Sequence, residues 1–329
     1  MATNRPLDGP IFLLGSHKSG SSLLRSLLDD HPRLFVLPTE THFFQYTGFW
    51  VDYRLRRALP RAMDRGQKIE ALTELVRKTN EHEDPYADSV TAGLYDVERF
   101  RRSLESSRFE SPRELFDAYV HALHVSLTGA ELPAAVRVVE KSVENTEHAV
   151  TLRHMFPDCS FVHIVRNPYA SLVALRKSRP GPGYPSLRAG ACSLQNTYYN
   201  LYRNEGVLDR YMTVRYEDLV TQNAATMERI AEFLGVEFLE VLLRPTLMGK
   251  PWGGNSTGGK GFSGVSAAPL EHWKREVNDL EIHLVNRMLA HVLDRFGYER
   301  MAPRRSAVLP VKGEKPSTWL RNRILLRWV

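Results

Sequence analysis

Residues 10–22 read PIFLLGSHKSGSS, an apolar run that enters a glycine-framed turn and continues into the helical pattern SGSSLLRSLLDD at 19–30. A strand that runs into such a turn and then a helix aims backbone N–H groups, together with the positive end of the helix, at one point. That point binds an anion. On the phosphate-loop template G-x-x-x-x-G-K-[ST], Gly15, Gly20 and Ser22 fall into place, Ser21 stands where the lysine belongs, and the lysine comes three residues early as Lys18. The expected donors are the amides from Ser19 to Ser22 and the hydroxyls of Ser21 and Ser22, with Gly15 and Gly20 permitting the tight backbone.

Working outward, PIFLLG (10–15), AAVRVVEK (134–141), SFVHIVRN (160–167) and RYMTVRYED (210–218) read as strands. They alternate with the helical stretches NTEHAVTLRHMF, PYASLVALRKS and SLRAGACSLQNTYYNLYRN. This order predicts an α/β fold with a parallel sheet flanked by helices, and apolar runs in place of strict alternation fit a sheet covered on both faces. Residues 43–133, with helical periodicity in RELFDAYVHALHVSL, are too long for a loop. They read as a mainly helical insertion over the C-terminal edge of the sheet, where open α/β folds bind ligands. Residues 1–300 then form a single domain followed by a basic tail at 301–329. Residues 249–264 hold seven of the 21 glycines and read either as a flexible linker or as a loop that covers a ligand.

At 329 residues with 43% hydrophobic content the chain can bury a substantial core. Cys159 and Cys192 lack CxxC spacing, which argues against a disulfide framework or a cysteine-rich metal site. MATNRPLDGP has no signal-peptide pattern and no apolar run reaches a membrane span, so the expected location is cytoplasmic. The net charge of +6 resides in the tail, where seven basic residues meet only Glu314. The remainder balances to zero, and no broad basic surface for nucleic acid is expected.

A nucleoside triphosphatase also needs an acid at a strand end to hold magnesium. SFVHIV ends instead in Arg166, whereas YMTVRYED ends in Glu217 and Asp218, which leaves a kinase with a degenerate loop open. The early lysine and the arginine together describe a donor with phosphates at two places and a transferable group that needs no metal. HKSGSSLLRSLLDDHP resembles the 5′-phosphosulfate motif, and VRNPYASLVAL the 3′-phosphate motif, of sulfotransferases that use 3′-phosphoadenosine 5′-phosphosulfate (PAPS) as cosubstrate. EKSVENTEHAVTLRHMFP, RYEDLV, ERIAEFLGVEF and HWKREV continue the resemblance in family order, which implies a P-loop-NTPase-like sulfotransferase fold.

The resemblance implies roles residue by residue. Lys18 neutralises charge on the leaving phosphate, and Ser19, Gly20, Ser21 and Ser22 hold the 5′ end. TETHFF (39–44) resembles the ExHFF stretch of carbohydrate sulfotransferases, so Glu40 is the expected general base, with His42 as the alternative base or as the residue that orients Glu40. Lys141 approaches the sulfuryl group or the acceptor, and Arg166 binds the 3′-phosphate. The serine usual eight residues after that arginine is Ala174 here, with Ser171 as its candidate substitute. Lys260, in the Gly-rich stretch, is placed by position to meet the same phosphate. Tyr216 and Glu217 read as structural, and His121 with His124 lacks a metal-binding pattern.

FFQYTGFWVDY (43–53) packs six aromatics into eleven residues, some of which suit a pocket that stacks on a ring. Residues 43–133 carry 13 basic and 15 acidic side chains, which disfavours a polyanionic glycan. A hydroxyl of a small metabolite, a glycoside or a lipid-linked precursor fits better. For the tail WLRNRILLRWV, docking on its own domain or on a second subunit as a homodimer outweighs peripheral membrane contact, because its arginines do not separate cleanly from its apolar side. A catalytically dead nucleotide-binding scaffold of the same fold is the non-enzymatic alternative.

Overall fold

Every residue of the first strand, β1 (Ile11–Gly15), is buried because it forms the middle of a sheet covered on both sides. Ile11 and Leu13 feed one apolar cluster, Phe12 and Leu14 another. The architecture is that of a computed structural model, which describes residues 6–52, 57–81, 91–178, 183–254, 264–304 and 310–328.

After β1 come α1 (Ser21–Leu28), β2 (Leu34–Val36), α2 (Phe43–Tyr46), the hairpin β3 (Phe49–Asp52) and β4 (Arg57–Pro60), then α3 (Arg65–Asn80), α4 (Val97–Ser106) and α5 (Pro112–Thr128). The chain returns to the sheet with β5 (Arg137–Glu140), α6 (Asn145–Met155), β6 (Ser160–Val165), α7 (Pro168–Lys177), α8 (Arg188–Val207) and β7 (Tyr211–Arg215). It continues through α9 (Tyr216–Thr221), α10 (Asn223–Leu234), the short pair β8 (Thr246–Leu247) and β9 (Lys250–Pro251), α11 (Trp273–Glu276), α12 (Asp279–Met288), α13 (Ala290–Phe296) and α14 (Pro316–Trp328).

The main sheet has five strands in the order β2-β5-β1-β6-β7, and every pairing is parallel. The chain leaves β1 toward β2 and β5 on one side and toward β6 and β7 on the other. The crevice beyond the carboxyl end of β1 is therefore a topological switch point, the place where open α/β sheets bind ligands.

Three expectations change. β2 is a three-residue strand that sequence patterning passes over, yet it pairs with β5 through Leu34, Phe35 and Val36. RYMTVRYED is not all strand, since β7 stops at Arg215 and Tyr216 opens α9. The 43–133 segment also does more than cap an edge: Phe116 and Tyr119 of α5 pack with Phe12, Leu14 and Phe161 in one cluster, so the segment covers a face of the sheet. Its helices begin where the sequence puts caps. Asp64 pairs with Gln67, and Ser111 with Glu114, in reciprocal capping boxes, and α5 ends at Gly129 with φ 75°. On the other face α1 and α10 pack against Ile11, Leu13, Val162 and Ile164.

The basic C-terminal segment folds back on its own chain. Leu325 and Leu326 of α14 pack against the cluster formed by α7, α8 and α12. Asn322, fully buried, accepts the Leu187 amide at 2.9 Å and donates to Glu314 at 2.8 Å. Among the described residues no helix is long and apolar enough to cross a membrane.

Removing one partner of a buried hydrogen bond costs about 1–3 kcal/mol. Asn322→Ala is expected to lower the urea unfolding free energy by about that amount, with the m-value unchanged; an unaltered midpoint would show that this side chain does not anchor the C-terminal helix.

Candidate active site

Because the five strands are parallel, their carboxyl ends lie along one edge, and each delivers a side chain within a few residues of its end. β1 delivers the loop 15–22, β2 delivers Glu40 and His42, β5 delivers Lys141, β6 delivers Arg166 and β7 delivers Tyr216.

The β1 loop is built to stay tight. Gly15 has φ 152°, and a Cβ there would come within 2.7 Å of Ser19 Oγ and 2.8 Å of Ile164 O. Gly20 has φ 101°, and a Cβ would strike the Tyr216 ring at 2.3 Å. Neither position admits another residue without displacement. The Ser19 amide and hydroxyl both donate to Ser16 O, at 3.2 and 2.8 Å, so this serine shapes the turn from inside. Thr146 of α6 accepts the Gly15 amide at 3.2 Å and ties the loop to the second strand unit. Lys18 sits at the crest with φ 64°, a left-handed conformation that costs a non-glycine residue on the order of 1–2 kcal/mol. Gly20 opens α1, whose first turn has no side-chain cap, and the hydroxyls of Ser21 and Ser22 stand at that helix end. An uncapped helix N-terminus with adjacent hydroxyls is an anion cradle.

Arg166 closes the cradle from the β6 side. Its Nη1 donates to Lys18 O at 3.0 Å, its guanidinium lies 4.4 Å from the Tyr216 ring centre, and Tyr198 donates to its carbonyl at 2.8 Å. Its Nε is buried without a hydrogen-bond partner. The structural reading of Tyr216 and Glu217 is explicit here: Tyr216 is the platform under Gly20 and Arg166, while Glu217 accepts from the Asn167 amide at 3.0 Å and from Tyr298 at 2.9 Å. Ser171 is fully buried in α7 with its hydroxyl unpartnered, and Lys260 lies outside the described residues.

On the other flank Lys141 forms an ion pair with Glu40 Oε1, and the Val143 amide donates to Glu40 Oε2 at 3.3 Å. Burial pushes the Glu40 carboxyl up, but Lys141 and His42 outweigh it and hold the pKa down to about 2. His42 Nδ1 pairs with Glu144 Oε1 at 2.8 Å. Burial also opposes ionisation of Glu144, and His42 again prevails and lowers its pKa.

His17, beside the loop lysine, shares electrostatic contact with Glu40, Lys141, Glu144 and His42. Burial lowers its pKa while Glu40 pulls the other way. Neither His17 nor Glu144 is marked by sequence reasoning. The available signal was the repeated glutamate of EKSVE around Lys141, whose meaning depends on a partner segment 100 residues earlier.

Glu40, His42 and Glu144 bring ligand atoms within 4.8 Å of one another, the geometry of a potential cation site among the described residues. In this arrangement Lys141 holds Glu40 and Glu144 holds His42, so an ion would have to displace both pairs. The aromatics beside the base are in part core: Phe43 and Phe44 are buried, with Phe43 edge-on to Phe116 and Phe44 stacked on His148 at 4.0 Å. The side chains of Phe49, Trp50 and Tyr53 lie outside the described residues.

A sulfotransferase family profile matches residues 10–240, and the chain belongs to the sulfotransferase family. Among curated proteins it is similar to the omega-hydroxy-beta-dihydromenaquinone-9 sulfotransferase Stf3 of Mycobacterium bovis and of Mycobacterium tuberculosis. Each is 24% identical over 332 residues, which covers 93% of this chain and 79% of the relative. Among solved structures, the sulfotransferase domain from the curacin biosynthetic pathway matches with a TM-score of 0.54 at 18% identity, over 90% of this chain and 100% of that one, so the two share the P-loop-like sulfotransferase fold.

Beneath this site Glu140, fully buried, has its pKa raised by desolvation to about 7. A carboxyl whose folded pKa exceeds its unfolded value contributes stability that is complete below about pH 4.5 and is lost as pH rises through 7. Relative to Glu140→Gln, the parent should therefore lose on the order of 2–3 kcal/mol of unfolding free energy between pH 4.5 and 7.5. Parallel pH profiles for the two proteins would refute the shift.

Proposed function

We propose that this chain transfers the sulfuryl group of PAPS to the hydroxyl of a small or lipid-linked acceptor, with Glu40 as general base and Lys18 stabilising the leaving phosphate. The observation that carries this reading is the Glu40–Lys141 pair beside the β1 loop. It keeps a buried carboxylate ionised next to a cradle for phosphate.

The donor brings negative charge at both ends of its ribose. The first turn of α1, Ser21 and Ser22 suit its 5′ end, and Arg166 suits its 3′-phosphate through a planar fork of donors. Family membership supports PAPS as donor. Ser171, enclosed within α7, is better explained by packing than by phosphate contact.

In a loose transfer, catalysis rests on positioning and charge neutralisation. The S–O bond to the donor phosphate breaks and the electron pair leaves with the phosphate oxygen, where Lys18 offsets the charge. The acceptor oxygen bonds to sulfur and its proton passes to Glu40. A carboxylate held at pKa about 2 is a weak base, but the acceptor oxygen becomes strongly acidic as it bonds to sulfur, so a weak base suffices late in the step. Lys141 lies where it can follow the charge that shifts from Glu40 to the transferring group. His42, fixed by Glu144, orients the acceptor side.

The near balance of charge in residues 43–133 supports an uncharged acceptor. The mycobacterial relative, named for a hydroxylated menaquinone derivative, supports a lipid alcohol as the acceptor class.

The test uses PAPS with a panel of lipid and small alcohols in metal-free buffer, together with adenosine 3′,5′-bisphosphate (PAP) binding by calorimetry. Glu40→Gln is expected to bind PAP within about threefold of the parent while kcat falls about 10²–10⁴-fold. Lys18→Ala should lower both. Turnover by Glu40→Gln at the parental rate would overturn the assignment of the base.

A further inference from the structure

Thr41 separates Glu40 from His42, and every polar group it has is tied down. Its hydroxyl donates to Glu140 Oε1 at 2.7 Å, and its amide is shared between Ser142 Oγ at 2.9 Å and Glu140 Oε1 at 3.3 Å. Its carbonyl accepts from Tyr119 at 3.1 Å. The next amide, of His42, also donates to Ser142 Oγ, at 3.2 Å. Ser142 in turn donates to Glu140 Oε1, and Asn145 donates to Glu140 Oε2. Two short segments therefore face each other in alternation. Glu40 and His42 meet Lys141 and Glu144 on the site side, while Thr41 meets Glu140 and Ser142 on the interior side.

The clamp falls where the backbone needs it. His42 has φ 43° and ψ 32°, a left-handed conformation that a non-glycine residue keeps only when its surroundings over-determine it. The two amides held by Ser142 flank Thr41 and lead directly into that conformation, the second being the amide on which the His42 φ rotation begins. Thr41, Glu140 and Ser142 are each at most 1% exposed, so water cannot substitute for a lost partner without entering the core.

We infer that Glu140 is a positioning residue for the transfer reaction: through Ser142 and Thr41 it locks the left-handed turn at His42 and thereby sets Glu40 and His42 against Lys141 and Glu144. The inference rests on the transferase reading given above, but the lock has a readout of its own. Only an acceptor-rich group fits the hub, because Thr41, Ser142 and Asn145 all donate into one carboxylate. Glutamine would turn an amide N–H₂ toward one of those donors. The burial that raises the carboxyl toward neutrality is consistent with a group kept for its geometry at the cost of its charge.

Hydrogen exchange of the full chain is measured by NMR for the parent, Ser142→Ala, Thr41→Val, Thr41→Ser and Glu140→Gln, alongside kcat, KM for the donor and PAP affinity. The expected result is that the Thr41 and His42 amides exchange at least about tenfold faster in Ser142→Ala, Thr41→Val and Glu140→Gln. In those variants kcat should fall about 10–100-fold, the scale of a displaced catalytic group, with PAP affinity and donor KM within about threefold. Thr41→Ser, which restores the hydroxyl, should return both exchange and kcat to within about threefold of the parent.

Parental exchange at both amides in Ser142→Ala and Thr41→Val would overturn the lock, as would a loss of PAP affinity parallel to the loss of kcat, which marks general destabilisation. If Glu140→Gln does not fold, the Thr41 pair decides alone. A parent that exchanges as expected but transfers nothing refutes the transferase reading and leaves the lock standing.

Discussion

Five parallel strands ending on the same side impose the constraint on which everything else in this molecule depends. Parallel pairing buries β1 between β5 and β6 and sends the chain away from it in opposite directions. Short extensions from each strand reach into the resulting crevice. The insertion, far from being an appendage, covers one face and uses Tyr119 of α5 to hold the carbonyl of Thr41. Fold and site are in this sense one construction: the core that stabilises the sheet also fixes the residues at its edge.

The charges at that edge are arranged in two pairs and a cradle. On the cradle side lie the amides of a helix end with no side-chain cap, Lys18 and an arginine whose Nε is buried without a hydrogen-bond partner. On the other side, Glu40 with Lys141 is a closed ion pair, and His42 Nδ1 is bound to the Glu144 carboxylate. Burial disfavours ionisation of both glutamates, and each remains charged because its partner outweighs the desolvation. One flank thus offers positive potential to an anion, while the other keeps a buried carboxylate ionised. Glu140 follows the opposite logic: it has donors but no cation, so burial prevails and its pKa rises.

Which of these features the sequence reveals follows from how local their chemistry is. The β1 loop, Arg166 and Lys141 announce themselves because each lies beside an apolar run that reads as a strand. Glu40 and His42 were reachable through the TETHFF resemblance, although the strand that carries them, LFV, is too short for periodicity to mark it. Glu144 and His17 carry no local mark because their significance exists only across the sheet, between segments that meet after folding. Tyr216 reads as the end of a strand, and its role as a platform depends on a glycine nearly 200 residues away that leaves room for its ring. The tail is ambiguous on a helical wheel because its buried face centres on a polar residue, Asn322, whose amide is satisfied by Leu187, Pro185 and Glu314.

A crystal structure of the chain with PAP tests the central claim most directly. The account predicts the 5′-phosphate on the amides and hydroxyls of Gly20 to Ser22 within reach of Lys18, the 3′-phosphate on Arg166 above Tyr216, and the Glu40–Lys141 pair facing the vacant sulfuryl position. A nucleotide bound away from the β1 loop, or phosphates that avoid both Lys18 and Arg166, would contradict it.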